Sequence, residues 1–268
     1  EQKRSGSRSG DGEGRRRVTV TVGEQTQLLD ERAERRRSRG GRGDQAPRVT
    51  ERDVALIGWI ARWRFASVPQ VRARFGLGQS VAYWRLGRLA EMGCLEFRRL
   101  FVGRPGVYVV TDVGLALCEV DLAKVGVDLR TYRHDSALVD LAIDLEGRGL
   151  EVLSERELRR ADAGASAPRH AVLLGGDQAD GRRRRHYPDM VVGGEGQARF
   201  AVELELAAKR TARLREILTA YRRASHLSAV VYYVEHPAVR QRLETLRDEL
   251  QMSERLDLRP WTPEAPDG

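Results

Sequence analysis

Residues 188–209 read PDMVVGGEGQARFAVELELAAK, and two short apolar runs in this stretch decide the fold of the second half of the chain. Residues 189–192 and 199–206 predict two strands, because both runs are short and apolar and a glycine-rich turn separates them. Side chains alternate along a strand, so Glu203 and Glu205 point to one face and the larger apolar residues point to the other. The hairpin therefore predicts two carboxylates on one face of a sheet.

Further ionisable groups flank this hairpin. Asp189 opens the first strand, so the turn brings it toward the end of the sheet that carries the glutamates. Lys209, one of only three lysines, follows Glu205 by four residues, where a helix over 208–224 is predicted to begin. A cation there opposes the helix dipole and indicates an anionic neighbour. Two interpretations stay open: the carboxylates form a site near His186, or they line a solvated face and His186 is a structural hydrogen-bonding residue.

The pattern on both sides of the hairpin predicts an α/β domain over residues 130–260. Apolar residues recur at helical spacing in some segments and form short continuous runs in others, which is typical of helices alternating with strands. Residues 161–185 predict an inserted loop. The remaining elements are helices over 132–147, 208–224 and 236–250 and strands over 150–153, 229–234 and 255–258. Together they predict one sheet flanked by helices.

The first half of the chain has a different order of elements. Thr50 is a predicted N-cap with Asp53 in the capping-box position, and Ser67 is a predicted N-cap for a second helix. A third helix is expected over 79–92, followed by a hairpin of strands at 95–100 and 107–111. Three helices and then a hairpin predict a winged helix-turn-helix over residues 48–125.

The third helix of such a domain can enter the major groove of DNA while the hairpin follows the backbone. Glutamine and arginine can bond to base edges, and tyrosine and serine can reach phosphates. The alternatives are a solvated basic face or a surface for protein contact. The predicted outward residues of the helix are Gln79, Ser80, Tyr83, Arg85 and Arg88, and the wing tip carries Arg104.

The charge distribution agrees with a polyanion as the partner. The 268 residues carry a net charge of +8. Residues 1–48 hold 13 basic and 8 acidic residues, and residues 49–112 hold 10 and 5, so each segment has a net charge of +5. A basic front half is expected of a protein that binds nucleic acid. Residues 1–47 predict a basic tail that lacks apolar periodicity, which is either a disordered linker or an arm that adds sequence-independent affinity for DNA.

Several classes of protein are excluded by absent motifs. No run approaches the ~18 apolar residues of a membrane helix, so no membrane partner is expected. Only two cysteines occur, too few for a disulfide framework or a cysteine-rich zinc site, which predicts a cytoplasmic protein. The sequence has no GxxxxGK[ST] loop for nucleotide phosphates and no His-hydrophobic-His triplet of a metal-dependent relaxase.

The motif Pro188-Asp189, thirteen residues and then Glu203-Leu204-Glu205, with Lys209 beyond, resembles the core of PD-(D/E)xK nucleases, which have the restriction-endonuclease-like fold. The resemblance implies that Asp189, Glu203 and Glu205 bind Mg²⁺ and that Lys209 or Glu205 activates water. Glu205 stands where most members have lysine, although some restriction enzymes use glutamate there. Lys209 is similar to the lysine that some members carry on the neighbouring helix.

A winged helix followed by such a domain resembles the replication-relaxation family, which is encoded on plasmids and mobile elements, mainly of high-GC bacteria. The resemblance covers residues 48–260. It implies a cytoplasmic bacterial protein that binds double-stranded plasmid DNA in replication, relaxation or transfer and has a degenerate nuclease-like domain. The alternative is an active Mg²⁺-dependent endodeoxyribonuclease; without that activity no cofactor is expected. A homodimer and contacts with replication or transfer proteins are further partners consistent with the resemblance.

Overall fold

The structure, a computed structural model, describes residues 48–165, 167–177, 183–194, 197–207 and 209–262. These residues form a mixed α/β protein with eight helices and three sheets, which confirms the predicted class. The predicted basic tail at residues 1–47 lies outside the described residues. Within the described part of the chain, no helix combines the length and the apolar composition that crossing a bilayer requires.

The first six elements alternate helices with a small sheet. The three strands form an antiparallel sheet in which the first strand of the chain pairs with the third and so extends the hairpin made by the second and third. In chain order the elements are α1 (Glu51–Arg62), β1 (Ala66–Ser67), α2 (Val68–Phe75), α3 (Gln79–Glu91), β2 (Leu95–Arg98) and β3 (Val107–Val110).

Local capping explains where the first two helices begin. The Thr50 hydroxyl accepts from the backbone N–H of Asp53 and the Asp53 carboxylate accepts from the backbone N–H of Thr50, which confirms the predicted capping box. Ser67 and Gln70 form the same reciprocal pair at the start of α2. Helix α2 ends at Gly76, whose φ of 60° lies in the left-handed region that suits glycine.

Four further elements follow in chain order, namely α4 (Asp112–Leu117), α5 (Tyr132–Gly147), β4 (Val152–Ser154), which is an edge strand of the large sheet, and α6 (Glu155–Ala161). Helix α5 is tied to α1 and α2 by Glu146. Its carboxylate accepts from Arg62 Nη1 at 2.8 Å and Trp59 Nε1 at 3.0 Å, and from Arg74. On α2, the Gln70 amide donates to the Asp140 carboxylate of α5 at 2.7 Å.

The region of the large sheet contains β7 (Met190–Val192), β8 (Phe200–Glu205), α7 (Thr211–Arg223), β9 (Ala229–Val234), α8 (Pro237–Glu249) and β10 (Leu256–Pro260). Together with β4, its strands form a sheet of five in the order β10-β9-β8-β7-β4. Strands β8, β9 and β10 run parallel, while β7 pairs antiparallel with both β8 and β4. One face is covered by two helices whose apolar residues form a buried core with the sheet.

Two predictions of secondary structure were wrong. Residues 161–185 are not simply a loop, because β5 (Val172–Asp177) and β6 (Arg183–His186) form an antiparallel hairpin. Helix α7 begins at Thr211, and Arg210 is its N-cap, so Lys209 precedes the helix instead of opening it. Helix α6 was not predicted, although Ser154 and Glu157 form a capping box at its start.

Candidate functional site

The two glutamates of β8 lie inside the protein. Glu203 exposes 1% of its surface and Glu205 exposes 3%. The parallel register sets Glu203 beside Tyr232 of β9, and apolar residues of α7 and α8 pack on the same face of the sheet. The solvated-face interpretation is therefore wrong, because helices cover the face that carries both carboxylates.

Glu203 is held by two donors. Its Oε1 is 2.7 Å from His186 Nε2 and also accepts a hydrogen bond from the Tyr221 hydroxyl on α7. Burial by itself lowers the pKa of His186, but the adjacent Glu203 carboxylate outweighs it and raises that pKa. His186 is therefore the partner of Glu203, so its predicted structural role agrees with this contact.

Asp189 forms a second bonded group at the end of β7. Its Oδ2 accepts from the backbone N–H of Leu204 at 2.8 Å and is 3.3 Å from His134 Nε2 on α5. Burial lowers the pKa of His134, but its bond to Asp189 and the charge of Asp189 raise that pKa to about 9. Conversely, burial raises the pKa of Asp189, and His134 outweighs this and lowers it.

Lys209 joins the cluster through Glu205. Its Nζ is 2.7 Å from Glu205 Oε2. Burial lowers the pKa of Lys209, but the charges of Glu203 and Glu205, with Asp189 adding a smaller effect, raise it. Burial raises the pKa of Glu205 even though Lys209 favours its ionised form. One cation therefore lies in the field of the three predicted carboxylates, as its placement in the sequence indicated.

Tyr232 adds an unusual polar group to this face. Its side chain is fully buried, and its hydroxyl has no hydrogen-bond partner within the described ranges. Burial and then the charge of Glu203 raise the pKa of this hydroxyl well above its ordinary value. A neutral phenol beside Glu203 is the result.

The oxygen ligands of Asp189, Glu203 and Glu205 have the chemistry that Mg²⁺ prefers. Their arrangement is less suitable, because His186 and Tyr221 hold Glu203. In the same way, Lys209 holds Glu205 and Leu204 holds Asp189. Among the described residues, no three His, Cys, Asp or Glu side chains are grouped so that they could hold a metal ion. The carboxylates do not fit a magnesium centre without rearrangement.

The predicted DNA-binding residues divide into two groups. Gln79, Ser80 and Tyr83 are exposed on α3, and Arg104 is exposed in the loop of the hairpin. Arg88 is half-buried, and its guanidinium lies 5.4 Å from the centre of the Trp84 ring.

Arg85 does not face outward as predicted. Its Nη1 is 2.5 Å from Asp53 Oδ1, and its side chain exposes only 19% of its surface. Arg85 lies on the flank of α3, beside the buried row that begins at Ala82, and from there it reaches back to α1. Its contact stabilises the packing of the two helices.

Two functional candidates were missed by the sequence prediction. Trp84 exposes 62% of its surface and Tyr83, beside it, exposes 52%. Trp84 was not singled out in the sequence, although its spacing of two residues from Ala82 and Leu86 would have placed it on the opposite side of the helix. For His134, the only sequence signal was its place at the start of a predicted helix.

Comparisons of the sequence with protein-family models and with curated proteins, and of the structure with solved structures, gave no significant match. The resemblance to the replication-relaxation family stays a prediction.

Proposed function

We propose that this chain is a DNA-binding protein that uses α3 and the β2–β3 hairpin as its contact surface. The observation that carries the proposal is the order of elements, α1-β1-α2-α3-β2-β3, together with the exposure of α3 and the hairpin loop. This order is typical of a winged helix-turn-helix, which inserts its third helix into the major groove.

The side chains on this surface have the chemistry that DNA recognition needs. Gln79 and Ser80, in the first turn of α3, can bond to base edges or phosphates, and Tyr83 can donate to a phosphate. Arg104 is exposed in the hairpin loop, where the wing of such a domain approaches the DNA backbone. The net charge of +5 over residues 49–112 favours approach to a polyanion.

The α/β region would then serve as a degenerate nuclease-like domain in plasmid or mobile-element replication, relaxation or transfer. The buried, bonded state of Glu203 and Glu205 supports a role in folding or binding above one in catalysis. Double-stranded DNA, a second copy of the chain and replication or transfer proteins are the partners that this proposal includes.

Arg104 gives a direct test of the DNA-binding surface. Arg104→Ala should weaken binding to all duplex sequences similarly and reduce the slope of log affinity against log salt by about 1, because one phosphate contact is lost. Arg148→Ala, a change at an exposed arginine that pairs with Asp144 on α5, is the matched control and should leave binding unchanged. Equal affinities and slopes for wild type and Arg104→Ala would remove the hairpin from the surface.

The second candidate is a Mg²⁺-dependent nuclease delivered to DNA by the same surface. The field of Asp189, Glu203 and Glu205 at Lys209 favours it, because acidic residues beside a lysine are the groups that the PD-(D/E)xK resemblance requires. In that case Asp189, Glu203 and Glu205 would first have to exchange their present partners for the metal, because each is bonded within the chain.

Supercoiled plasmid incubated with the protein and Mg²⁺ or Mn²⁺ distinguishes the candidates. Metal-dependent nicking that is lost in Asp189→Asn, while the variant is still folded at the assay temperature, would establish the nuclease. Intact plasmid at all metal concentrations, with binding preserved, would leave the DNA-binding role alone.

A further inference from the structure

The outermost line of α3 carries an aromatic residue at its centre. Residues at positions i, i+4 and i+7 lie on one helical face, and this spacing joins Ser80, Trp84 and Gly87. Trp84 exposes 62% of its surface, and Tyr83 beside it exposes 52%. Outside the backbone of the helix itself, a Cβ added at Gly87 would meet no atom within 4 Å, so this position on the line is open.

Both arginines of α3 contact other side chains of the same chain. Arg85 is paired with Asp53 at 2.5 Å, and the guanidinium of Arg88 lies 5.4 Å from the centre of the Trp84 ring. A bidentate arginine is the commonest specific contact to guanine in the major groove. Only the first turn, at Gln79 and Ser80, remains for that kind of readout, whereas the middle of the helix presents rings and positive charge.

Aromatic rings beside cations are the surface that unpaired bases bind. Every base has a π-face, so stacking on aromatic side chains tolerates sequence, and a positive groove follows the backbone. Residues 49–112, which include α3, carry a net charge of +5. This charge is complementary to nucleic acid and disfavours binding of a protein surface that has few acidic residues.

We propose that α3 binds DNA whose bases are unpaired, with one base stacked on Trp84 and a neighbouring base on Tyr83. Arg88 supplies positive charge at the indole, and Arg104 on the hairpin loop contacts the backbone. The inference rests on the proposed DNA-binding surface, and it replaces the major groove of a duplex with single-stranded or locally melted DNA as the substrate of α3.

Fluorescence anisotropy tests this substrate class with three labelled probes of about 20 nucleotides at one salt concentration: a single strand, a duplex, and a duplex with a central bubble. Wild type should bind the single strand and the bubble more tightly than the duplex. Trp84→Leu should weaken binding to the single strand by about 5- to 150-fold, and its effect on the duplex should be below about 3-fold.

Two further variants make the test specific for stacking. Trp84→Phe keeps a ring and should keep most of the affinity for the single strand. If Trp84 instead made only an apolar contact with a thymine methyl group, Trp84→Leu would also keep the affinity. Leu129→Ala changes a residue that is 60% exposed but lies outside α3 and the hairpin, and should leave all three affinities unchanged.

The outcomes separate this inference from the function on which it rests. A wild-type preference for duplex, or equal losses on duplex and single strand in Trp84→Leu, would overturn stacking and leave duplex DNA binding in place. Failure of all three probes to bind would refute the DNA-binding function itself. Unchanged affinities together with a loss of dimer in Trp84→Leu would assign the rings to a contact between copies of the chain.

Discussion

Helix α3 and strand β8 both carry polar residues that the sequence marks as functional, yet the structure treats them in opposite ways. On α3, Gln79, Ser80 and Tyr83 are exposed. On β8, Glu203 and Glu205 are almost fully buried and bonded to residues of the same chain. The first surface is accessible to a partner without rearrangement, whereas the second is part of the folded interior. The exposure of the polar residues on α3 therefore favours a role in binding. The burial of the glutamates on β8 indicates that they contribute to the stability of the fold.

The comparison would fail if Glu203 contributed nothing to stability. Glu203→Ala leaves the buried Tyr221 hydroxyl and His186 without their acceptor, so the free energy of unfolding should fall by about 3–5 kcal/mol. The control is Glu249, which accepts from Arg215 and has a side chain that is 45% exposed. Glu249→Ala should lower the free energy of unfolding by less than about 1 kcal/mol. Urea denaturation of both variants measures the difference, and equal losses would contradict a structural role for Glu203.

Arg85 tests whether a single residue of α3 contributes to stability and not to DNA binding. Arg85→Ala leaves the buried Asp53 carboxylate without its cation and should lower the free energy of unfolding by about 1–3 kcal/mol. Because Arg85 points toward α1, DNA affinity per folded molecule should change by less than about twofold, corresponding to about 0.4 kcal/mol. Parallel denaturation and binding measurements check this, and a strong loss of affinity with unchanged stability would return Arg85 to the contact surface.

The ion pair of His134 and Asp189 predicts a pH dependence for the second region. The pKa of His134 is raised from 6.5 to about 9, so its contribution is full below pH 6.5 and is lost as the pH rises through about 9. The pKa of Asp189 is lowered from 3.8, so its contribution is present above pH 3.8 and is lost as the pH falls through the lowered value. The ion pair therefore makes its full contribution to stability between about pH 3.8 and pH 6.5.

His134→Gln retains a donor but removes the charge. The His134 shift corresponds to about 3 kcal/mol, and screening at a side chain with 33% exposure reduces this to about 1–2 kcal/mol. The stability difference from wild type should therefore be about 1–2 kcal/mol at pH 6 and near zero at about pH 10. His236→Gln, at a side chain that is 53% exposed, is the control. A difference of equal size at both pH values would refute an effect of charge.

Local signals predicted much of the fold. The caps at Thr50 and Ser67 were readable because each pairs with a partner three residues away, within one helical turn. The hairpin of β5 and β6 was missed because β5 contains two successive glycines and β6 is mostly arginine, so neither shows the alternation typical of strands. Only packing could reveal it.

The sequence predicted which residues of the candidate site lie together, but it did not predict that they are buried and bonded within the chain. Alternation along β8 assigned Glu203 and Glu205 to one face, yet their burial depends on α7, which packs from elsewhere in the chain. Arg85 was assigned to the outward face because helical spacing alone does not show that its long side chain can bend back to Asp53. Contacts distant in sequence decided both cases.

Helix α5 has a mechanical consequence for the molecule. Near its end, Glu146 bonds to Arg62 and Arg74, and near its start His134 contacts Asp189. Between His134 and Glu146 the helix spans about 18 Å, at about 1.5 Å per residue. It therefore forms a stiff connection between α1 and α2 at one end and the carboxylate of Asp189 at the other. A force that shifts α1 and α2 together must either break the bonds at Glu146 or pull on the partner of Asp189.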